Sequence, residues 1–149
     1  MIEDVIITTL RKIPDERGSI MHMLRADSPH FIQFGEIYFS IAYPGVIKGW
    51  HEHTIQTQNY AVVEGMIKLV MYDNRKSSKS YKTIQEVFLG ELNYSLVTIP
   101  TGIIMGYKCI GKKTSILANC STHPHDPKEM ISYDPLGDKV PYDWNIKFK

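Results

Sequence analysis

Hydrophobic and polar positions follow each other in short runs along this chain, and the recurring period is two rather than 3.6. Residues 5–10 form an apolar run with two threonines, and the spacing predicts a strand. Pro14-Asp15-Glu16-Arg17-Gly18 reads as a turn, and residues 19–24 alternate loosely as a second strand. After Asp27-Ser28-Pro29, residues 37–42 are rich in β-branched and aromatic side chains, the composition of a strand. Residues 60–63 and 66–72 read as two strands joined by a tight turn at Glu64-Gly65. Residues 84–89, 94–99, 103–109 and 114–118 continue the pattern, punctuated by Gly90, Pro100-Thr101-Gly102 and Gly111. From His123 on, Pro124, Pro127, Pro135 and Pro141 predict an irregular segment that ends in a short run over 143–149. About ten short strands with Gly/Pro turns predict an all-β sandwich or jelly roll. The helical stretches that a βαβ fold needs between its strands are missing.

Composition narrows this picture. The 149 residues correspond to one ordinary domain, 1–149, and 43% hydrophobic against 22% charged residues can build a core. A formal charge of +1 excludes the strong basic excess of a general nucleic-acid or membrane-surface binder, while leaving room for a local anion site. Cys109 and Cys120 are too few for a disulfide framework and match no metal spacing, so they read as small residues of a reducing compartment. The N-terminus carries acids and no basic leader, and no apolar run reaches the ~20 residues of a membrane helix. The expectation is a cytoplasmic protein with no membrane partner.

Residues 45–65, GVIKGWHEHTIQTQNYAVVEG, concentrate the chemistry. In a strand, positions i and i+2 share a face, so His51 and His53 point one way and Trp50 and Glu52 the other. After the turn, Gln58, Tyr60 and Val62 share a face as well. Each buried imidazole needs a hydrogen-bond partner, so a pair on one face points to function, against the plainer reading of one inward and one structural histidine. Two chemistries fit. Paired imidazoles ligate zinc, iron, copper or nickel, although a catalytic metal wants a third strong ligand. Histidine is also poised to move a proton near neutral pH, for example from a carbon beside a ketone, with a cation or donor at the enolate oxygen.

The same stretch resembles the cupin signature G(X)5HXH(X)3–4E(X)6G, with Gly45, His51, His53 and Gly65 in place and Gln58 at the glutamate. In the second cupin signature Pro100 and Gly102 match, and Met105 stands where a histidine ligates. Two of the usual four metal ligands are thus replaced, so no bound metal is expected. From about Ile13 to Trp144 the chain resembles the dTDP-4-dehydrorhamnose 3,5-epimerase family of cupins. Asp15-x-Arg17-Gly18 is similar to its D-x-R-G. Residues 45–51 are similar to G-V-L-R-G-L-H, and Asp73-x-Arg75-x-x-Ser78-x-Ser80-Tyr81 to D-x-R-x-x-S-x-[ST]-[FY]. Residues 99–107, ending in Tyr107, are similar to I-P-x-G-F-x-H-G-F. Glu129 and Asp134-Pro135 match a late E…DP.

The resemblance implies a cupin jelly roll (a double-stranded β-helix). It also implies an epimerase or isomerase acting beside the ketone of a nucleoside-diphosphate-linked 4-keto-6-deoxy sugar, in deoxysugar or polysaccharide biosynthesis. It implies no cofactor and a homodimer that exchanges N-terminal strands. The family's base carries over to His51. Its lysine position falls at Gln58 and its opposite-face tyrosine at Ala118, leaving Lys48 to serve as cation and His53, Tyr60 or His123 as proton carriers. Arg17 matches its phosphate or nucleobase contact, Lys48 replaces its phosphate-binding arginine, and Glu36-x-Tyr38 stands at its Q-x-N pair. Arg75, Tyr107, Gln58 and Glu129 complete the expected substrate contacts. Arg17 and Arg75 also read plainly as turn and loop residues, and His123 and His125 as members of a proline-rich loop. His51-x-His53-(x)4-Gln58 is further similar to the H-A-H-(x)4-Q stretch of sugar 3,4-ketoisomerases, in which paired histidines move protons on one face. A non-catalytic sugar-nucleotide-binding cupin and a metal-dependent cupin are the alternatives.

Overall fold

The structure is a computed structural model that describes residues 1–147. The last two positions of the run at 143–149 lie outside the described residues. Strands β1 (Ile6–Thr9), β9 (Ser95–Ile99), β6 (Gln58–Glu64), β11 (Ser115–Ser121) and β4 (Glu36–Ala42) form one antiparallel sheet in that order. β12 (Met130–Ser132), β5 (Ile47–His53), β10 (Ile103–Ile110), β7 (Met66–Asp73) and β8 (Ile84–Gly90) form the second. β2 (Lys12–Asp15) and β3 (Gly18–Met21) make a separate hairpin. The all-β jelly roll expected from the alternation is what forms.

Alternation explains the layers. Inward positions of both sheets, among them Val62, Leu69, Met71, Ile99, Met105 and Leu117, make the central core. On the outer face of the second sheet, Trp50, Val70, Tyr72 and Ile104 are covered by Val140 and Trp144 of the C-terminal segment. On the outer face of the first, Ala61, Tyr94 and Leu96 meet Leu10, Met21, Met23 and Leu24. Gly106 makes room for the Trp50 ring, because a Cβ there would lie 2.8 Å from Trp50 Cε3. The β6–β7 turn needs Gly65, which sits at φ 69° with Thr114 O 2.6 Å from where a Cβ would be.

Two elements depart from the expectation. The turn at residues 14–18 is narrower than predicted, and its start belongs to β2. β12 lies in the segment expected to be irregular, where Met130, Ile131 and Ser132 pair with His53, Glu52 and His51. Three residues are too short for a period-two signal to register, and a non-local edge pairing holds them. Among the described residues no helix is long and apolar enough to cross a membrane.

Candidate active site

The register of β5 sets the site. His51 lies opposite Met105 and Lys48 opposite Tyr107, with a bulge between, so both face the interior of the roll together with His53. Trp50 and Glu52 face outward, Trp50 into the aromatic cluster with Tyr142 and Trp144. Across the interior, β6 brings Tyr60 and β4 brings Tyr38 and Ser40. Two adjoining cavities result. The smaller, about 90 Å³, is lined by Ser40, Lys48, Met105, Gly106, Tyr107 and Leu117. The larger, about 330 Å³, is lined by Glu36, His53, Gln56, His125 and Met130. Tyr38, His51 and Tyr60 belong to both walls.

His51 Nδ1 lies 3.3 Å from Ser132 Oγ on β12. Burial, and then neighbouring His53, push the His51 pKa below its usual 6.5, so the ring is a neutral base at pH 7. Tyr60 is the opposite case. Burial, with the hydroxyls of Tyr38 and Tyr107 nearby, lifts its pKa well above 10 and keeps the phenol protonated. In the smaller cavity Lys48 Nζ donates to Ser40 Oγ at 3.1 Å, and Ser40 Oγ lies 2.7 Å from Tyr107 Oη. That corner offers an ammonium and two hydroxyls to a developing oxyanion.

His53 is held differently. Its Nδ1 lies 2.5 Å from Glu129 Oε1, and the side chains are 7% and 3% exposed. Glu129 also accepts from Gln56 Nε2 and from the backbone N–H groups of Thr54 and Ile55. Burial opposes the carboxylate charge, but these hydrogen bonds outweigh it and hold the pKa at about 2. Glu129, expected to touch substrate, is therefore spent on His53.

The remaining expected residues divide. Lys48, Tyr38, Tyr60 and Tyr107 join His51 and His53 around the cavities. Gln58 lines neither: it is fully buried, its Oε1 accepts from Asn119 Nδ2, and among the described residues its Nε2 has no partner. Arg17 sits at the β2–β3 hairpin, its side chain 85% exposed and paired with Asp15. Arg75 binds Asp73, Asp4 and the carbonyl of Glu3, a clasp between loop and N-terminus. Ala118 pairs with Ala61 on the outward face, while Leu117 and Asn119 turn inward. Among the described residues no three His, Cys, Asp or Glu side chains converge as a metal cage. Sequence reasoning missed Ser132, Gln56 and Ser40, which no motif marks. Their roles come from long-range pairing.

Known proteins resemble the chain over nearly its whole length. The family model described as dTDP-4-dehydrorhamnose 3,5-epimerase matches residues 1–148. The chain is 30% identical over 153 residues to the Spore coat polysaccharide biosynthesis protein SpsL of Bacillus subtilis, covering all of both chains. It is 33% identical over 144 residues to the Probable low-salt glycan biosynthesis epimerase Agl13 of Haloferax volcanii, covering 95% of this chain and 89% of that one. The dTDP sugar isomerase of Desulfovibrio desulfuricans G20 superposes with a TM-score of 0.94 at 39% identity, over 96% of this chain and 92% of that one.

Proposed function

The chain belongs to the dTDP-4-dehydrorhamnose 3,5-epimerase family and is a sugar-nucleotide epimerase, and we propose that it inverts a carbon beside the ketone of a nucleoside-diphosphate 4-keto-6-deoxy sugar. One observation carries this reading: His51 and Tyr60 belong to opposite sheets and wall the same cavities. A sugar ring lying between the sheets has a base on one face and an acid on the other. His51 takes the proton from the carbon beside the ketone. The enolate oxygen develops against Lys48, with Ser40 and Tyr107 behind it. Tyr60 returns a proton to the other face, and the centre is inverted.

Arg17 serves the diphosphate from a second copy. The outward side chains of β4, Ile37, Phe39 and Ile41, are more than half exposed, as is Ile20 on the hairpin. A partner packed there buries this apolar stripe and carries its own hairpin toward the cavity. The particle is then a homodimer in the cytoplasm, which sedimentation at twice the 17.1 kDa chain mass tests.

The experiment for the chemistry is proton exchange in D₂O with dTDP-4-keto-6-deoxyglucose, followed by NMR. Deuterium enters the ring beside the ketone, and His51→Asn abolishes this while dTDP still binds. Absence of exchange with several 4-keto sugar nucleotides defeats the reading.

A further inference from the structure

The buried pair of His53 and Glu129 has no part in the inversion just described, yet it is built with more care than any other group in the pocket. Glu129 is 4% exposed and takes four hydrogen bonds: from the His53 ring, the Gln56 amide and the N–H groups of Thr54 and Ile55. These occupy its lone pairs and leave it one orientation. A carboxylate fixed at one nitrogen of an imidazole sets the ring's angle and supports positive charge on it. Among the described residues the other nitrogen, Nε2, takes no hydrogen-bond partner, and His53 lines the larger cavity.

Inversion leaves a proton in the wrong place. His51 ends with the proton from carbon, and Tyr60 ends without its own. A second turnover requires the reverse distribution. His51 and Tyr60 face each other from opposite sheets, and His51 Nδ1 is engaged with Ser132. His53 shares the strand face of His51, two residues along, which places the two Cα atoms about 7 Å apart. It shares the larger cavity with both His51 and Tyr60. Glu36 and Tyr38 complete the facing groups, and exposed His125 marks the cavity's rim toward solvent.

We propose that His53, held by Glu129, is the proton carrier that resets this site after each inversion. His51 gives its proton to His53 Nε2, forming an imidazolium whose charge the Glu129 carboxylate balances. The proton then reaches the Tyr60 oxygen through water in the larger cavity. Only N–H and O–H bonds break and form, no co-reactant is consumed, and the net proton count over one turnover is zero. Glu129 is a positioning residue, acting through His53 and not on the sugar. This rests on the proposed inversion.

The test separates the first turnover from the rest. In His53→Ala, rapid-quench measurement of the first inversion is expected within about threefold of wild type. Steady-state turnover falls tenfold or more, and added imidazole restores part of it. Glu129→Gln is expected to show the same split, and Glu129→Asp to recover turnover. Binding of dTDP checks that each variant is folded. A first turnover that falls as far as the steady state, or a steady state that does not fall, overturns the carrier role. Absence of inversion by the wild-type enzyme would instead defeat the underlying function, so the two failures are distinct.

Discussion

Replacing Glu129 by glutamine is expected to destabilise the fold in a way that depends on pH. Glutamine keeps the shape but only one acceptor oxygen. Placed at Oε1, that oxygen still meets His53 and Gln56, while the NH2 then faces the N–H groups of Thr54 and Ile55, so the buried charge and those two backbone bonds are removed. The carboxyl titrates at about 2 in the fold against 4.5 unperturbed. That gap corresponds to about 3 kcal/mol of stability, an upper figure for one group. Because the folded value is the lower one, the contribution is complete above pH ~4.5. It is lost as pH falls through about 2, where the folded carboxyl also takes up its proton. At pH 3.5 roughly 2 kcal/mol of it remains.

Urea unfolding of both proteins, followed by the fluorescence of buried Trp50 and Trp144, measures the difference. At pH 7.5 the variant is expected to lose about 3 kcal/mol, close to 10 °C in Tm for a chain of this length. At pH 3.5 the gap narrows by about 1 kcal/mol or slightly more. A gap that stays constant across this range, or one under 1 kcal/mol at pH 7.5, would falsify the assignment of a charged, structurally committed Glu129.

Three further substitutions probe the site and its frame. Tyr60→Phe removes the opposite-face acid, so deuterium exchange at the carbon by His51 persists while inverted product falls by about 10²–10⁴; equal loss of both refutes the role. Lys48→Met is expected to slow exchange by about 10²-fold with dTDP affinity unchanged, whereas weaker dTDP binding with normal exchange would move Lys48 to the diphosphate. Asp73, fully buried, is held well below the usual carboxylate range, the bonds from Arg75, Ser78 and Ser80 outweighing burial. Asp73→Asn should cost about 1–3 kcal/mol in urea titrations and leave kcat unaltered, and a fall in kcat at full stability would contradict a purely structural clasp.

How far the sequence reaches depends on the distance over which each feature is encoded. The strands are local, and period two with Gly and Pro turns locates nearly all of them. The shared face of His51 and His53 is also local, a consequence of the pleat alone. β12 is not local: its three residues matter because they meet β5, far away in the chain, and this pairing brings Ser132 to His51. Glu129 shows the limit most clearly. A motif match marks it, but only the fold shows it turned toward His53, Thr54 and Ile55. Arg75 is similar: the loop motif is real, and what it holds is the N-terminus.

Under the proposed function, the roles that the resemblance puts at Gln58 and Ala118, a catalytic lysine and tyrosine, are relocated and not lost. Ala118 faces outward beside Ala61, so a tyrosine there would not enter the cavity. The phenol comes from Tyr60 on the neighbouring strand, paired with inward Asn119. Gln58 and Asn119 bond each other in a space with no exposure, while the cation arrives on β5 as Lys48. Gln58→Lys therefore tests relocation directly. It would bury an ammonium with no carboxylate within its hydrogen-bond set, a cost of several kcal/mol, and break the bond to Asn119. The expected result is a lower Tm and no gain in exchange rate. A faster enzyme at undiminished stability would put the enolate's cation back at position 58 and remove Lys48 from the chemistry.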